Sequence, residues 1–150
     1  MGRDGTNNQK ELADAMEDLS ARHGLDFVLS TGDNLYPDGV NTVDDPKWQT
    51  SFEQIYTGDH LKAPWYVALG NHDYHKDPKA EIAYTKKSKR WTMPDYFFTY
   101  KFTMTDGSVV RIVILDTNPF EKSYYDLAVF KNKFTVDTTR QKIWMDSVFS

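Results

Sequence analysis

The sequence contains no cysteine. Disulfides and thiolate metal ligands are therefore excluded, and the redox compartment is left open. No apolar run approaches the ~20 residues a helix needs to span a bilayer. The first residues, Met1-Gly2-Arg3-Asp4-Gly5, are polar and lack the apolar centre of a signal peptide, so the sequence itself gives no compartment. Positive charge is also scarce, with a formal net charge of −4. The one basic run, Lys86-Lys87-Ser88-Lys89-Arg90, reads as a solvated helix end rather than a nucleic-acid face. The partners expected on these grounds include neither nucleic acid nor membrane. There is no internal repeat and no low-complexity segment. What remains is an aromatic-rich globular chain of 150 residues, one domain by length.

Hydrophobic periodicity predicts the elements. A helix runs from Asn8 to Arg22, with Leu12, Met16 and Leu19 at helical spacing, Asn7 or Asn8 as cap and Gly24 as stop. An apolar strand covers 26–30. Asp45-Pro46 and Asp77-Pro78 each read as a helix start, a capping carboxylate followed by proline at the first helical position. The helix after Asp45 carries Trp48, Phe52, Ile55 and Tyr56; the one after Asp77 turns Ile82 inward. Residues 65–69 form a second strand, apolar throughout, as for a strand covered on both faces. Residues 96–104 and 109–115 pair as a hairpin about Asp106-Gly107. Residues 118–136 read as an irregular aromatic segment. A last helix starts near Thr139, with Thr138 and Gln141 at capping-box spacing.

Both early strands run into a glycine and then into metal-ligand chemistry: Thr31-Gly32-Asp33-Asn34-Leu35-Tyr36 after the first, Gly70-Asn71-His72-Asp73 after the second. In α/β sheets ligands bind beyond the carboxyl ends of the strands, so Asp33, Tyr36, Asn71 and His72 are expected at one place. A carboxylate such as Asp33 can bridge two cations; a phenolate such as Tyr36 is a hard donor suited to a trivalent one. The Asn71 amide oxygen suits a divalent cation. His72 is read either as a further ligand or as a general acid to a leaving oxygen. Asp73 would orient its imidazole, and His75 stands near the site by sequence position. Asp116, ending a strand, is a further candidate or a loop anchor. Each motif alone is also ordinary turn chemistry; the metal reading rests on their recurrence together.

The two motifs, with flanks Asp26-Phe27-Val28-Leu29-Ser30, Pro64-Trp65-Tyr66, Ile82-Ala83-Tyr84 and Lys89-Arg90-Trp91, resemble two signature blocks of the purple acid phosphatases of the tartrate-resistant type, within the calcineurin-like metallophosphoesterase superfamily. The resemblance implies an α/β fold, part of a four-layer α/β/β/α sandwich with mixed sheet and flanking helices. It implies a dinuclear metal centre, Fe(III) with Fe(II), Zn(II) or Mn(II), that hydrolyses small phosphate monoesters, usually at acid pH. Asp33 would match the bridging ligand, Tyr36 the tyrosinate, Asn71 the divalent-metal ligand and His72 the substrate-facing histidine, with Asn34, Asp73 and His75 in supporting or substrate-binding places. Gly2-Arg3 matches the end of the family's first Asp-x-Gly block, and the late histidine blocks have no counterpart. Residues 1–150 are thus expected to be the N-terminal portion of one metallophosphoesterase domain, truncated at both ends. Export or a lysosomal location follows by family analogy. Two alternatives stand beside this reading: a non-catalytic fragment lacking the late histidine ligands, and a phosphodiesterase or nucleotide hydrolase of the same superfamily.

Overall fold

The computed structural model describes residues 1–131, 133–134 and 138–150. Helix α1 spans Gln9–His23; strand β1, Val28–Ser30; β2, Trp65–Val67; helix α2, Pro78–Tyr84; β3, Trp91–Thr92; β4, Phe98–Thr103; β5, Val109–Ile114; and helix α3, Thr138–Phe149. Among the described residues β1, β2 and β3 form a parallel sheet in that order, with Val28 opposite Trp65 and Trp65 opposite Trp91. β4 and β5 form an antiparallel hairpin in which Phe98 faces Ile114. The α/β class with mixed strand directions and flanking helices is as expected.

Alternation along β2 decides the layering. Trp65 points to one face, where it meets Phe52 edge-on at 5.2 Å and Tyr56 at 4.7 Å. Tyr66 points to the other, where the hairpin covers it: Tyr100 lies 4.4 Å from its ring, and Phe102 stacks on Phe27 at 4.5 Å. Behind the first face Trp48 stacks on Tyr84 of α2 at 3.6 Å and meets Trp91 of β3 edge-on at 4.9 Å. On the far side of the hairpin, α3 holds Phe97 against Trp144 at 4.9 Å. The order is helices, sheet, hairpin, helix. The outer residues of β5, Val109 and Val110, remain exposed.

Several local expectations are corrected. Leu12 and Leu19 are exposed, and the buried stripe of α1 is instead Gln9, Ala13 and Ser20. Gln9 takes an inward position because its amide donates to the Ser51 carbonyl at 2.8 Å and accepts from the Arg3 and Gly5 N–H groups. Asn8 stands before α1 in a left-handed conformation without a side-chain cap bond. The apolar stretch after Asp45 contains a wide π-type turn, Gln49–Glu53, in place of a regular helix. In α2 the inward positions are Ala80, Glu81 and Tyr84, with Ile82 only half-buried. Gln141 does not cap α3; its amide clasps the backbone of Asp116, accepting from N–H at 3.0 Å and donating to C=O at 2.9 Å.

The aromatic core carries a pH signature. Burial raises the phenols of Tyr56, Tyr66, Tyr74, Tyr84 and Tyr96, that of Tyr96 to about 12. An unfolded phenol titrates near ~10. The folded value is the higher one, so the contribution to stability is complete below that pH and is lost as pH rises through the folded values. Absorbance titration should therefore show these phenols ionising together with loss of circular dichroism, well above pH ~10. Non-cooperative ionisation of all nine tyrosines near that pH, with the fold intact, would contradict the packing described.

Candidate metal and phosphate site

β1 and β2 are parallel neighbours, so the loops leaving their carboxyl ends lie side by side. Gly32 has φ 109° and Asp33 φ 50°, two successive left-handed residues that turn the first loop back toward the second. Glycine takes such angles freely, and aspartate tolerates them better than most residues. The loops then touch backbone to backbone. A β-carbon on Gly32 would lie 2.8 Å from the Gly70 Cα, and one on Gly70 would overlap the Asp33 amide nitrogen and carboxylate.

This contact fixes the Asp33 carboxylate from both sides. Oδ2 accepts from the Tyr36 hydroxyl at 2.6 Å, and Oδ1 accepts from the His72 backbone N–H at 3.1 Å. The hydrogen bond to Asp33, then burial, raise the Tyr36 phenol above its ordinary value. The Tyr36 ring packs against the Arg3 guanidinium, 3.9 Å from the ring centre, and the His72 ring at 4.6 Å. Gly2 runs parallel to Leu35, donating to the Asn34 carbonyl at 2.5 Å and accepting from the Tyr36 N–H at 2.7 Å, which braces the loop. His75 stands 4.9 Å from His72, ring to ring, with Nδ1 3.4 Å from an Asp38 carboxylate oxygen.

The role expected for Asp73 is corrected. It is fully buried and does not reach the His72 imidazole. Its carboxylate accepts from the backbone N–H groups of Gly70 at 2.8 Å and Asn34 at 2.8 Å, and so ties the two loops together from beneath. His72 is oriented instead by the Pro37 carbonyl, 2.5 Å from Nδ1. A carbonyl only accepts, so Nδ1 carries hydrogen and Nε2 is the nitrogen left for chemistry. Asn34, expected beside the ligands, is likewise buried. Its side chain accepts from the Ser30 hydroxyl at 2.6 Å and donates to the Ala68 carbonyl at 2.8 Å. Asp116 is a loop anchor: its carboxylate accepts from the Tyr74 hydroxyl and from the Asn118 amide, and burial raises its pKa.

Asp33, Tyr36 and Asn71 line a common cavity of about 450 Å³, whose far wall is Thr117, Asn118 and Tyr124. That wall was not foreseen. Its one sequence signal is position, directly after a strand that ends beside the other two. Among the described residues no three His, Asp or Glu side chains converge as a metal cluster. The donors are one carboxylate, one phenol and one amide oxygen, all hard, and the Asp33 and Tyr36 oxygens already lie 2.6 Å apart. This set suits a hard cation and would release the Tyr36 proton on binding it.

Residues 5–147 match the calcineurin-like phosphoesterase family. The chain belongs to that family. It is 37% identical to purple acid phosphatase 4 of Arabidopsis thaliana over 126 residues, 83% of this chain and 35% of that protein. It is 43% identical to tartrate-resistant acid phosphatase type 5 of Homo sapiens over 112 residues, 73% of this chain and 33% of that protein. The chain thus spans about a third of the length of these relatives. Among solved structures it is similar in fold to GAP50, the anchor in the inner membrane complex of Plasmodium, with TM-score 0.70 and 21% identity, covering 95% of this chain and 44% of that one.

Proposed function

We propose that the chain carries part of the site of a metal-dependent acid phosphatase hydrolysing small phosphate monoesters. The observation that carries the reading is the convergence of Asp33 and Tyr36 oxygens at 2.6 Å on a loop held against the one bearing Asn71 and His72. Membership of the phosphoesterase family and likeness to the purple acid phosphatases support it.

Asp33, Tyr36 and Asn71 would hold a metal pair, iron(III) with iron(II), zinc or manganese. When bound, the pair supplies Lewis-acid polarisation of the phosphoryl oxygens. The chain's own residues do the rest. Asp33, fixed by the Tyr36 hydroxyl and the His72 amide, needs little reorganisation to accept a cation. His72, with its Nδ1–H committed to the Pro37 carbonyl, would as an imidazolium donate the proton on Nε2 to the departing alkoxide oxygen and be left as the Nδ1–H neutral tautomer. Gly70 keeps the second loop in backbone contact with Asp33.

Metal stoichiometry after dialysis and hydrolysis of p-nitrophenyl phosphate test this. Asp33→Asn should lose bound metal. His72→Ala should keep the metal and lose on the order of 10²-fold or more in kcat, the usual contribution of a general acid. Metal and rate both unchanged in Asp33→Asn would reject the assignment. Less than one metal per parent chain, with no hydrolysis, would reject catalysis by this chain and favour the non-catalytic reading.

A further inference from the structure

Beneath the two loops lies a second pair of carboxyl groups that the proposed chemistry does not use. Glu81, on α2, and Asp73 are both completely buried, and both approach the Asn34 amide: Nδ2 lies 3.0 Å from Asp73 Oδ2 and 3.1 Å from Glu81 Oε2. The two carboxyls thus converge on the same amide nitrogen.

Counting hydrogens shows that the cluster is one donor short. The Asn34 amide has two hydrogens and three acceptors around it, since it also meets the Ala68 carbonyl. Asp73 is well supplied, with backbone N–H groups from Asn34, Leu35 and Gly70. Glu81 has at most a share of Asn34 at Oε2, and Oε1 has no hydrogen-bond partner among the described residues. A fully buried carboxylate with a lone pair unmatched on one oxygen and half-matched on the other is costly. One added proton balances the count, because a carboxylic acid brings the missing donor.

We propose that Glu81 is a positioning residue held as a neutral carboxylic acid, whose O–H donates to the Asp73 carboxylate and thereby locks α2 to the loops bearing Asp33 and Asn71. Of the two groups Glu81 is the one that keeps the proton. Asp73 already accepts from three backbone N–H groups and is matched as an anion, whereas Glu81 accepts from none; burial and the neighbouring Asp73 charge raise Glu81 further. The other ionised group bearing on Glu81 is the amino group of Met1, a smaller and opposing influence. The backbone of Glu81 is itself tied to the core, its carbonyl accepting from the Trp91 indole at 2.9 Å.

The claim is independent of metal content and of catalysis. It is tested on the metal-free chain, with glutamate labelled at the side-chain carboxyl carbon, by infrared spectroscopy at neutral pH. The labelled parent should show the carbonyl stretch of a protonated glutamic acid. The other glutamates, Glu11, Glu17, Glu53 and Glu121, remain labelled in Glu81→Gln and serve as the background. Glu81→Gln should abolish that band yet melt within about 2 °C of the parent, because the amide N–H replaces the acid O–H. Glu81→Ala should melt roughly 5–10 °C lower, the effect of losing the donor and opening a void. Absence of the protonated band in the parent would overturn the proposal even if neither variant folds. So would a Glu81→Gln variant destabilised as much as Glu81→Ala.

Discussion

Replacing Gly70 with alanine is expected to lower the melting temperature by roughly 10 °C, equivalent to about 3 kcal/mol in a chain of this size, and to abolish metal retention. Its φ is not in the left-handed region, so the cost is steric: the new methyl would occupy the place of the Asp33 amide nitrogen and Oδ1. The loop must move, and with it go the Asp33–His72 and Asp33–Tyr36 bonds. Gly107→Ala supplies the control. That glycine has φ 84° with nothing near its missing side chain, so its penalty is conformational only and about 1 kcal/mol. Thermal melts and metal content of the two variants separate the causes. Equal small shifts in both would show that the loops are not in the tight contact described.

The second large effect is at Arg90. Its buried guanidinium donates to the carbonyls of Tyr56, Leu61 at 3.1 Å, Phe52 at 3.3 Å and Glu53 at 3.3 Å, and to the Glu53 carboxylate at 3.0 Å. Its planar fork of N–H donors thus bridges the π-type turn, through Phe52 and Glu53, to the carbonyls of Tyr56 and Leu61 that follow it. Its own carbonyl accepts from the Trp65 N–H at 2.7 Å, which sets the start of β2. Arg90→Met removes the partner cation of the Glu53 carboxylate, which keeps only the Tyr84 and Ser88 hydroxyls, and the guanidinium donors to the Tyr56 and Glu53 carbonyls, and should cost about 3–5 kcal/mol in denaturant unfolding. Arg90→Lys should recover only part, because a single ammonium cannot reach acceptors on several sides. A loss under about 1 kcal/mol in Arg90→Met would mean water satisfies the turn instead.

These two sites mark what was legible in the sequence. That the loops bearing Asp33, Tyr36, Asn71 and His72 lie side by side could be read, because two apolar strands each delivered a glycine followed by ligand-type residues, and parallel neighbours bring such ends together; Asp33, Tyr36 and Asn71 share a cavity, while His72 stands outside it against the Tyr36 ring. The strands around them could be read for the same reason. Partner identities could not. Asp73 and His72 are adjacent in sequence yet face opposite ways, since the turn Asp73–His75 carries one inward and the other outward. Arg90 sat in a basic run that looks solvated by composition alone, and its burial depends on a turn distant in sequence. Leu12 and Leu19 had the spacing of a buried face, but the groove beside α1 is lined by backbone polar groups of residues 1–6 and by Ser51, so Gln9 fits there better than leucine does. Glu81 left one clue: it is the charged residue on the stripe shared by Ala80 and Tyr84. β3, only two residues long, lies below the length at which periodicity can speak.

The direct pairing of β1 with β2 has a consequence for how this site can work. Adjacent strands in a sheet are held ~4.8 Å apart by their backbone ladder, and the two ligand-bearing loops begin where that ladder ends. Their separation is therefore a lattice constant of the sheet, not a variable that a closing domain can adjust. Thr117, Asn118 and Tyr124 stand at the end of another sheet, connected through Asn118 to the Leu69 carbonyl at 3.2 Å. A substitution at that wall therefore reshapes the cavity without moving the loops that carry Asp33, Tyr36 and Asn71.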